Sequence, residues 1–101
     1  MARQRLSDDE TAARLSKLDG WSLEAGKLQR RFKFKDFVTA FGWMTIVALV
    51  AERMDHHPDW KNVYHTVDVE LMTHDAGGLT HNDFALAEAM NALAAPLVTP
   101  R

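Results

Sequence analysis

The residues best suited to chemistry lie in two short pieces of this 101-residue chain. The first is ERMDHHPDW, residues 52–60, and the second is THD, residues 73–75. Together they hold three of the five histidines, namely His56, His57 and His74. An imidazole gives and takes a proton near neutral pH with little help from its surroundings. Because core packing does not require adjacent histidines among acidic residues, we expect acid–base chemistry here.

Acidic residues accompany the first histidine. Glu52 and His56 are four residues apart, so they share one face if a helix runs this far. A carboxylate at Glu52 or Asp55 would hold the imidazole of His56 in one tautomer, and the negative end of a helix favours a protonated ring. Either residue alone is explained equally well as a helix cap. His57 points elsewhere in an extended chain, and it either supports the site or lies on the surface.

The third histidine lies beyond the end of a predicted strand, where loops often carry function. Thr73 and Asp75, on either side of His74, can orient the ring or a ligand, and a solvated turn is the alternative. Asp83 stands at the third position of the last predicted helix, where capping and the helix dipole alone favour a carboxylate. The other two histidines have no such setting and are expected on the surface: His65 and His81.

A metal site is the main alternative to acid–base chemistry. Zinc is often held by three histidines, or by two histidines and a carboxylate. Adjacent histidines are an awkward spacing for two ligands of one ion, and the sequence lacks the His-Glu-x-x-His pattern of helical sites. We therefore rank a metal below a metal-free site. Two tryptophans, Trp21 and Trp60, are candidates to wall a pocket for a flat heterocycle.

Length and composition limit the class of protein. The chain is expected to form one domain over residues 1–101 with one modest core. The formal net charge of -2 offers no basic field for nucleic acid, and the absence of cysteine excludes a disulfide framework and a thiolate site. The first ten residues lack the apolar segment of a secretory signal, and the longest uncharged run, residues 37–51, is shorter than a membrane span. We expect a cytoplasmic protein.

A capping pattern and an alternating segment organise the first third of the chain. Ser7 and Glu10 match a capping box, which starts a helix that runs to about Lys17. The apolar residues expected to be buried there are Ala12, Leu15 and Leu18. A short strand is predicted at residues 21–23. Residues 27–34 alternate as a half-buried strand, with Arg30 as the exception on its inner face.

Asp36 is expected to cap a long helix. The apolar residues of this helix predict a wide stripe that is buried on two sides: Phe37, Phe41, Met44, Ala48 and Ala51, widened by Val47, Val50 and Met54. Pro58 is expected to end the helix, because the residue before a proline is pushed out of the helical region. The two adjacent histidines would then sit at or just beyond the carboxyl end of the helix.

The rest of the chain predicts strand and then helix. Residues 63–71 alternate, which predicts one strand, or two strands with a turn near Tyr64. The side chains expected to face the core are Val63, Val67, Val69 and Leu71. Thr80-x-x-Asp83 starts the last helix, which Pro96 bends or ends and whose apolar face carries Leu86, Met90, Leu93 and Leu97. This order favours an α+β fold, an antiparallel sheet of about four strands with three helices packed on one face.

Three motifs in this chain resemble the signature of the pterin-4a-carbinolamine dehydratases. They are DHHPxWxxVY at 55–64, VxVxLxTH at 67–74 and GLTxxD at 78–83. The segments GW at 20–21 and FxFKDFxxAF at 32–41 are also similar to that family. The resemblance covers nearly the whole chain, and its fixed positions over about thirty residues are more specific than a lone short motif.

The resemblance implies loss of water from 4a-hydroxytetrahydropterin to give quinonoid dihydropterin, in a pocket without metal or organic cofactor. It implies catalytic roles for His56, His57 and His74. Pocket or supporting positions are implied for Glu52, Asp55, Trp21, Thr73, Asp75 and Asp83. The chain departs from the family pattern at Met72, a place that is often small and polar, and has Asp75 where some members have Glu.

Dehydration needs an acid for the leaving hydroxyl and a base for the N5 proton, and histidine suits both roles. We expect His56 and His74 to be the principal pair, with His57 assisting at the hydroxyl.

The family also implies a homodimer or homotetramer. A second hypothesis is a protein-binding or dimerisation module, because animal members of the family resemble partners of a transcription factor. In either case the apolar helix after Asp36 would supply the contact surface, and no nucleic-acid or membrane contact is expected.

Overall fold

The computed structural model describes residues 4–97. Its elements follow in this order: α1 Asp8–Leu15, β1 Ser22–Glu24, β2 Lys27–Lys33, α2 Phe37–Met54, β3 Asp59–Val63, β4 Thr66–Leu71, a 3-10 turn His74–Ala76 and α3 His81–Ala94. The four strands form one antiparallel sheet in the order β1-β2-β4-β3. The predicted α+β class is confirmed.

The two faces of the sheet differ in polarity. Alternate residues of β2 and β4 turn inward and are buried: Leu28, Phe32, Val67, Val69 and Leu71. The outward residues include two charged pairs across the strands, Lys27 with Glu70 at 3.3 Å and Arg31 with Asp68 at 2.6 Å. One face is therefore a core surface for the helices, and the other is a charged surface. A period of two predicted both faces correctly, because successive side chains of a strand point to opposite sides.

The hairpin of β3 and β4 follows the second of the two predicted arrangements. Its turn lies at Tyr64 and His65, and Tyr64 adopts a left-handed φ of 53° there. Strand β3 begins at Asp59, before the alternating segment that predicted it. The expected burial of Val63 is wrong, since this side chain is 61% exposed. Val63 is the last residue of an edge strand and pairs with Thr66 beside the turn.

Helix α1 begins as predicted and ends early. Ser7 Oγ accepts from the N–H of Glu10 at 3.1 Å, and Glu10 Oε1 accepts from the N–H of Ser7 at 2.9 Å. The helix ends at Leu15 rather than near Lys17. The expected burial of Ala12 is wrong, because the inward face of α1 runs through Thr11 and Leu15, which are four residues apart.

The buried face of α2 agrees with the predicted stripe at Val47 and Ala51 but not over the first half of the helix, and one side is buried rather than two. The fully buried residues are Ala40, Trp43, Val47 and Ala51. Phe37 and Phe41, at the start of the predicted stripe, are 49% and 56% exposed, and Ala48 is also exposed. A helix that is apolar on nearly all sides gives its periodicity no preferred face. The choice falls to Trp43, whose ring packs against the rings of Phe32 and Phe34 on the sheet side of the core.

The outer face of α2 stays exposed. Large apolar side chains on it are Phe37, Val38, Phe41, Ile46 and Leu49. By length and composition alone, the 18 residues of α2 are long and apolar enough to cross a membrane, a test that core helices of soluble proteins also pass. Its inner face packs on α3, where the Trp43 indole N–H donates to the Met90 carbonyl oxygen at 3.2 Å.

Candidate active site

The backbone at the end of α2 places the two adjacent histidines. Asp55 adopts a left-handed conformation with φ 53° and ψ 44°. The N–H of His56 donates to the Ala51 carbonyl oxygen at 3.0 Å, and the N–H of Asp55 donates to that of Glu52 at 3.1 Å. This bond pair is a Schellman motif, which ends a helix at one left-handed residue. The prediction that Pro58 ends the helix is wrong, since α2 stops at Met54.

The reversal at Asp55 changes the partner of Glu52. Sequence spacing predicted Glu52 beside His56 on one helical face, but His56 lies after the left-handed residue and leaves that face. Glu52 Oε1 instead lies 2.8 Å from Nε2 of His57, and both side chains are exposed. The expected pairing of Glu52 with His56 is therefore wrong.

The partner of His56 comes from α3. His56 Nε2 lies 2.6 Å from Oδ1 of Asp83, and the two side chains are 4% and 0% exposed. A carboxylate next to an imidazole accepts its N–H and so fixes which ring nitrogen carries the proton. With Nε2 as the donor, the neutral ring of His56 leaves Nδ1 as a base.

Asp83 is held by more than its histidine. Its Oδ2 accepts from the Thr73 hydroxyl at 2.7 Å and from the backbone N–H of Thr80 at 2.9 Å. The Thr73 and Thr80 hydroxyl oxygens lie 2.8 Å apart. A buried carboxylate is costly unless it is hydrogen-bonded, and three donors meet that need here. The capping position expected for Asp83 and its place beside a histidine are thus both found.

The third histidine begins the 3-10 turn that follows β4. Thr73 and Gly78 form a bridge that closes this turn, with the N–H of Thr73 donating to the Gly78 carbonyl oxygen at 3.0 Å. Gly77 takes φ 71° between them, a conformation that favours glycine. Both His74 and Asp75 are exposed at this corner.

One cleft brings most of the expected residues together. It has a volume of about 290 Å³ and is lined by Asp55, His56, His57, Met72, Thr73, His74 and Asp75. A smaller cleft of about 30 Å³ adjoins it and shares His57, Met72 and His74. The larger volume is near the lower limit of the roughly 300–1,000 Å³ that small-molecule sites occupy. Three histidines from two distant pieces of sequence thus converge on one concave surface.

Both tryptophans considered for the pocket belong to the core. Trp21 is 7% exposed, and its indole N–H donates to Asn91 Oδ1 at 2.8 Å. The ring of Trp60 lies 6.2 Å from that of Trp43. Neither tryptophan is among the described residues that line the two histidine clefts. Thr80, which contacts Thr73 and Asp83 behind the cleft, was not predicted to support the site, although its capping pattern with Asp83 was the signal that could have indicated it.

A larger depression lies elsewhere. It has a volume of about 460 Å³ near Gly20 and Arg30, and it opens beside the paired charges of Arg31 and Asp68. Its lining contains no histidine among the residues described, so size alone does not identify the site. Within residues 4–97, no group of three or more histidine, aspartate or glutamate side chains is arranged to hold a metal ion.

Comparison with known proteins identifies the family of this chain. The model of the pterin 4 alpha carbinolamine dehydratase family matches residues 4–93. The chain belongs to this family.

Relatives of this dehydratase family share most of the chain. A protein of Rhodopseudomonas palustris, strain BisB18, is 56% identical over 100 residues, which are 97% of this chain and 98% of the relative. A protein of Nitrobacter hamburgensis is 58% identical over 93 residues, which are 90% and 92% of the two chains. Both relatives are named for the activity of a pterin-4-alpha-carbinolamine dehydratase.

A solved structure is also similar. It is the crystal structure of a transcriptional coactivator/pterin dehydratase from Brucella melitensis, with a TM-score of 0.88 and 48% sequence identity. The match covers 90% of this chain and 99% of the Brucella chain. The family predicted from the motifs is confirmed, and the predicted class of enzyme, a dehydratase that acts on a pterin, agrees with the names of these relatives.

Proposed function

We propose that this protein dehydrates 4a-hydroxytetrahydropterin to quinonoid dihydropterin by histidine acid–base catalysis. The observation that carries the proposal is the convergence of His56, His57 and His74 on one cleft, with His56 held by a buried carboxylate. Family membership supports the substrate class, since the related proteins bear the name of this reaction. The reaction would recycle a pterin cofactor in the cytoplasm.

The reaction requires two proton transfers and no oxidant. The bond between C4a and the hydroxyl oxygen breaks, and a proton from an acid converts the leaving group to water. A base removes the proton from N5, and the electron pair left there forms the C4a–N5 double bond. A positioned acid or base typically contributes about 10²–10⁴-fold to such a rate.

We assign the two principal roles to His56 and His74. The hydrogen bond to Asp83 uses Nε2 of His56, so that Nδ1 is the ring nitrogen that suits a base, and burial keeps that ring in one orientation. His74, exposed on the turn after β4, lines the same cleft and can reach a substrate there. His57 assists with the hydroxyl and is oriented by Glu52.

The remaining cleft residues suit recognition of the substrate. A pterin carries N–H donors on its pyrimidine ring, and carboxylates accept such hydrogen bonds. We propose that Asp55 and Asp75, which line the cleft, accept from these donors. Thr73 lines the cleft as well, but its hydroxyl proton goes to Asp83, so we propose that it supports His56. For Trp21 we propose a role in supporting the core, because its indole N–H donates to Asn91 and it does not line the cleft.

The decisive experiment follows the decay of the 4a-carbinolamine with and without the protein. Added wild-type protein should speed the decay, and His74→Ala should slow the turnover by about 10²-fold or more. His65→Ala serves as the matched control, because that histidine lies in the β3–β4 turn, bonded to Thr66, away from the cleft. If His74→Ala kept wild-type turnover, the assignment of the acid–base pair would be wrong.

We further propose that the outer face of α2 binds a second copy of this chain, giving a homodimer or homotetramer. Five large apolar side chains are exposed on this one face, and contiguous exposed apolar surface typically marks an interface. Leu49, 65% exposed in the second half of α2, is the best probe. Light scattering should show an oligomer for the wild type and a smaller species for Leu49→Lys. A wild-type monomer would contradict this proposal.

A second candidate function is a protein-binding module that acts as a transcription-factor cofactor. The same exposed face of α2 favours it, and the similar Brucella structure is described as a transcriptional coactivator as well as a pterin dehydratase. A protein that forms complexes through α2 but does not turn over the carbinolamine would support the module over the enzyme.

A further inference from the structure

Thr80 joins two structural tasks in one buried side chain. It is the N-cap of α3, and its Oγ1 accepts from the N–H of Asn82 at 3.3 Å. It is 1% exposed and does not line the histidine cleft. Its hydroxyl also lies 2.8 Å from that of Thr73, which follows β4 and precedes the 3-10 turn. The capping role explains the hydrogen bond that this hydroxyl accepts. It does not explain to which atom the hydroxyl donates its own proton.

A count of protons fixes the direction of this contact. The Thr73 hydroxyl has one proton and donates it to Asp83 Oδ2 at 2.7 Å, because an ionised carboxylate only accepts. Thr73 can then only accept from its other neighbour. The hydroxyl of Thr80 must therefore donate to Thr73. Among residues 4–97, no buried side-chain nitrogen or oxygen lacks a hydrogen-bond partner, which agrees with this assignment.

The result is a directed chain of hydrogen bonds. Thr80 donates to Thr73, Thr73 donates to one oxygen of Asp83, and His56 donates to the other oxygen of the same carboxylate. The four side chains are 0–4% exposed, so water does not compete for these bonds. In a buried network each bond polarises the next, and every member must be satisfied for the network to hold one arrangement.

We propose that Thr80 is a positioning residue, which acts through Thr73 and Asp83 to keep His56 protonated at Nε2. The proposal deepens the dehydratase function proposed above and depends on it for its effect on rate. Thr80 touches neither the cleft nor a substrate there. Its contribution is to hold the carboxylate of Asp83 in one orientation, so that Nε2 of His56 always carries the proton and Nδ1 does not.

The direct test is the tautomer of His56 in the free protein, read from the 15N shifts of its ring and assigned with His56→Gln. Wild-type protein should show Nε2 protonated. Thr80→Val keeps the β-branched shape but removes the hydroxyl, and it should give a mixture of protonation states. Thr80→Ser should restore the single tautomer. Ser7→Ala, which removes the cap of α1 in an exposed place, controls for cap loss and should leave His56 unchanged.

The kinetic test uses the same variants. Thr80→Val should lower kcat about tenfold, as loss of a supporting hydrogen bond typically does, with little change in KM. Thr80→Ser should recover the wild-type kcat. A merely structural role would lower the fraction of folded protein but would move neither the tautomer nor the kcat of the folded fraction.

Thr73→Val keeps the proposal falsifiable even if Thr80→Val folds poorly, because the proposal is overturned if His56 keeps a single tautomer in Thr73→Val. Thr73→Val breaks the chain one link later and leaves the cap of α3 in place. If the hydrogen bonds act in series, Thr73→Val alone should lower kcat as much as Thr73→Val and Thr80→Val together. Substitutions at independent sites would instead multiply their effects on kcat. The proposal is overturned if Thr80→Val keeps one tautomer and a wild-type kcat, or if the two substitutions multiply. A wild-type protein without turnover would defeat the dehydratase function, while the tautomer measurement would still decide the role of Thr80.

Discussion

Two helices of this protein begin with the same local motif and use it differently. Ser7 with Glu10 starts α1, and Thr80 with Asp83 starts α3; both are capping boxes with both reciprocal hydrogen bonds present. The first pair is exposed on the surface, whereas Thr80 and Asp83 are 1% and 0% exposed. In the first box the carboxylate caps its helix. In the second box it caps its helix and also holds a histidine of the cleft.

Burial explains why the second box can do more. An exposed carboxylate meets its hydrogen-bonding needs with water, so its position matters little beyond the cap. A buried carboxylate must find its donors within the protein, and each donor restricts its orientation. Asp83 therefore transmits its own fixed position to His56, while Glu10 positions no histidine among residues 4–97. The same motif thus acquires a function from its surroundings.

The largest difference between the capping boxes of α1 and α3 should appear in the turnover of the carbinolamine. Asp83→Asn keeps the shape but offers His56 an amide, which can reverse the direction of their hydrogen bond and so the tautomer. We expect turnover of the carbinolamine to fall by about 10²-fold or more. Glu10→Gln, the matched change in α1, should leave turnover unchanged. Equal turnover in Asp83→Asn and wild-type protein would mean that the second box, like the first, only caps a helix.

A smaller difference should appear in stability. Ser7→Ala removes an exposed cap and should lower the free energy of unfolding by about 1 kcal/mol. Thr80→Ala removes a cap and also a buried hydrogen bond to Thr73, so we expect a loss of about 2–3 kcal/mol. Urea unfolding monitored by circular dichroism measures both. The comparison between exposed and buried boxes loses its energetic basis if the two losses are equal.

The smallest effect concerns the pH dependence of the exposed box. The Ser7 backbone N–H that donates to Glu10 lowers the pKa of this carboxyl below its ordinary value, and the Ser7 hydroxyl adds to the shift. A lowered pKa in the folded state stabilises the protein above the ordinary pKa of a glutamate, and the gain is lost as the pH falls through the lowered value.

Unfolding should therefore be compared for wild-type protein and Glu10→Gln between neutral and acid pH. The small advantage of the wild type at neutral pH should shrink on acidification, because Gln does not titrate. An advantage that persists in acid would show that the charge of Glu10 does not contribute to the cap.

Prediction from sequence worked where the determining interactions are local. Both capping boxes, the cap at Asp36 and the alternation of β2 and β4 involve residues within a few positions of one another, and all are confirmed. The prediction of the buried face of α2 was right at Val47 and Ala51 but wrong at Phe37 and Phe41, because apolar residues surround nearly the whole helix. The end of α2 failed because one left-handed aspartate, not the more obvious Pro58, stops it. A proline constrains its predecessor strongly, but a left-handed residue leaves little trace in the sequence.

The sequence by itself determined which residue types are available for chemistry, where the three helices begin, and to which family the motifs belong. Tertiary structure alone decided which carboxylate holds which histidine. His56 and Asp83 are separated by 27 positions along the sequence. Glu52, the carboxylate closer in sequence, contacts His57 instead. The physical reason is that hydrogen-bond partners in a core are chosen by the packing of α2, β4 and α3 together. Spacing along one element carries no information about the neighbour that packing will bring.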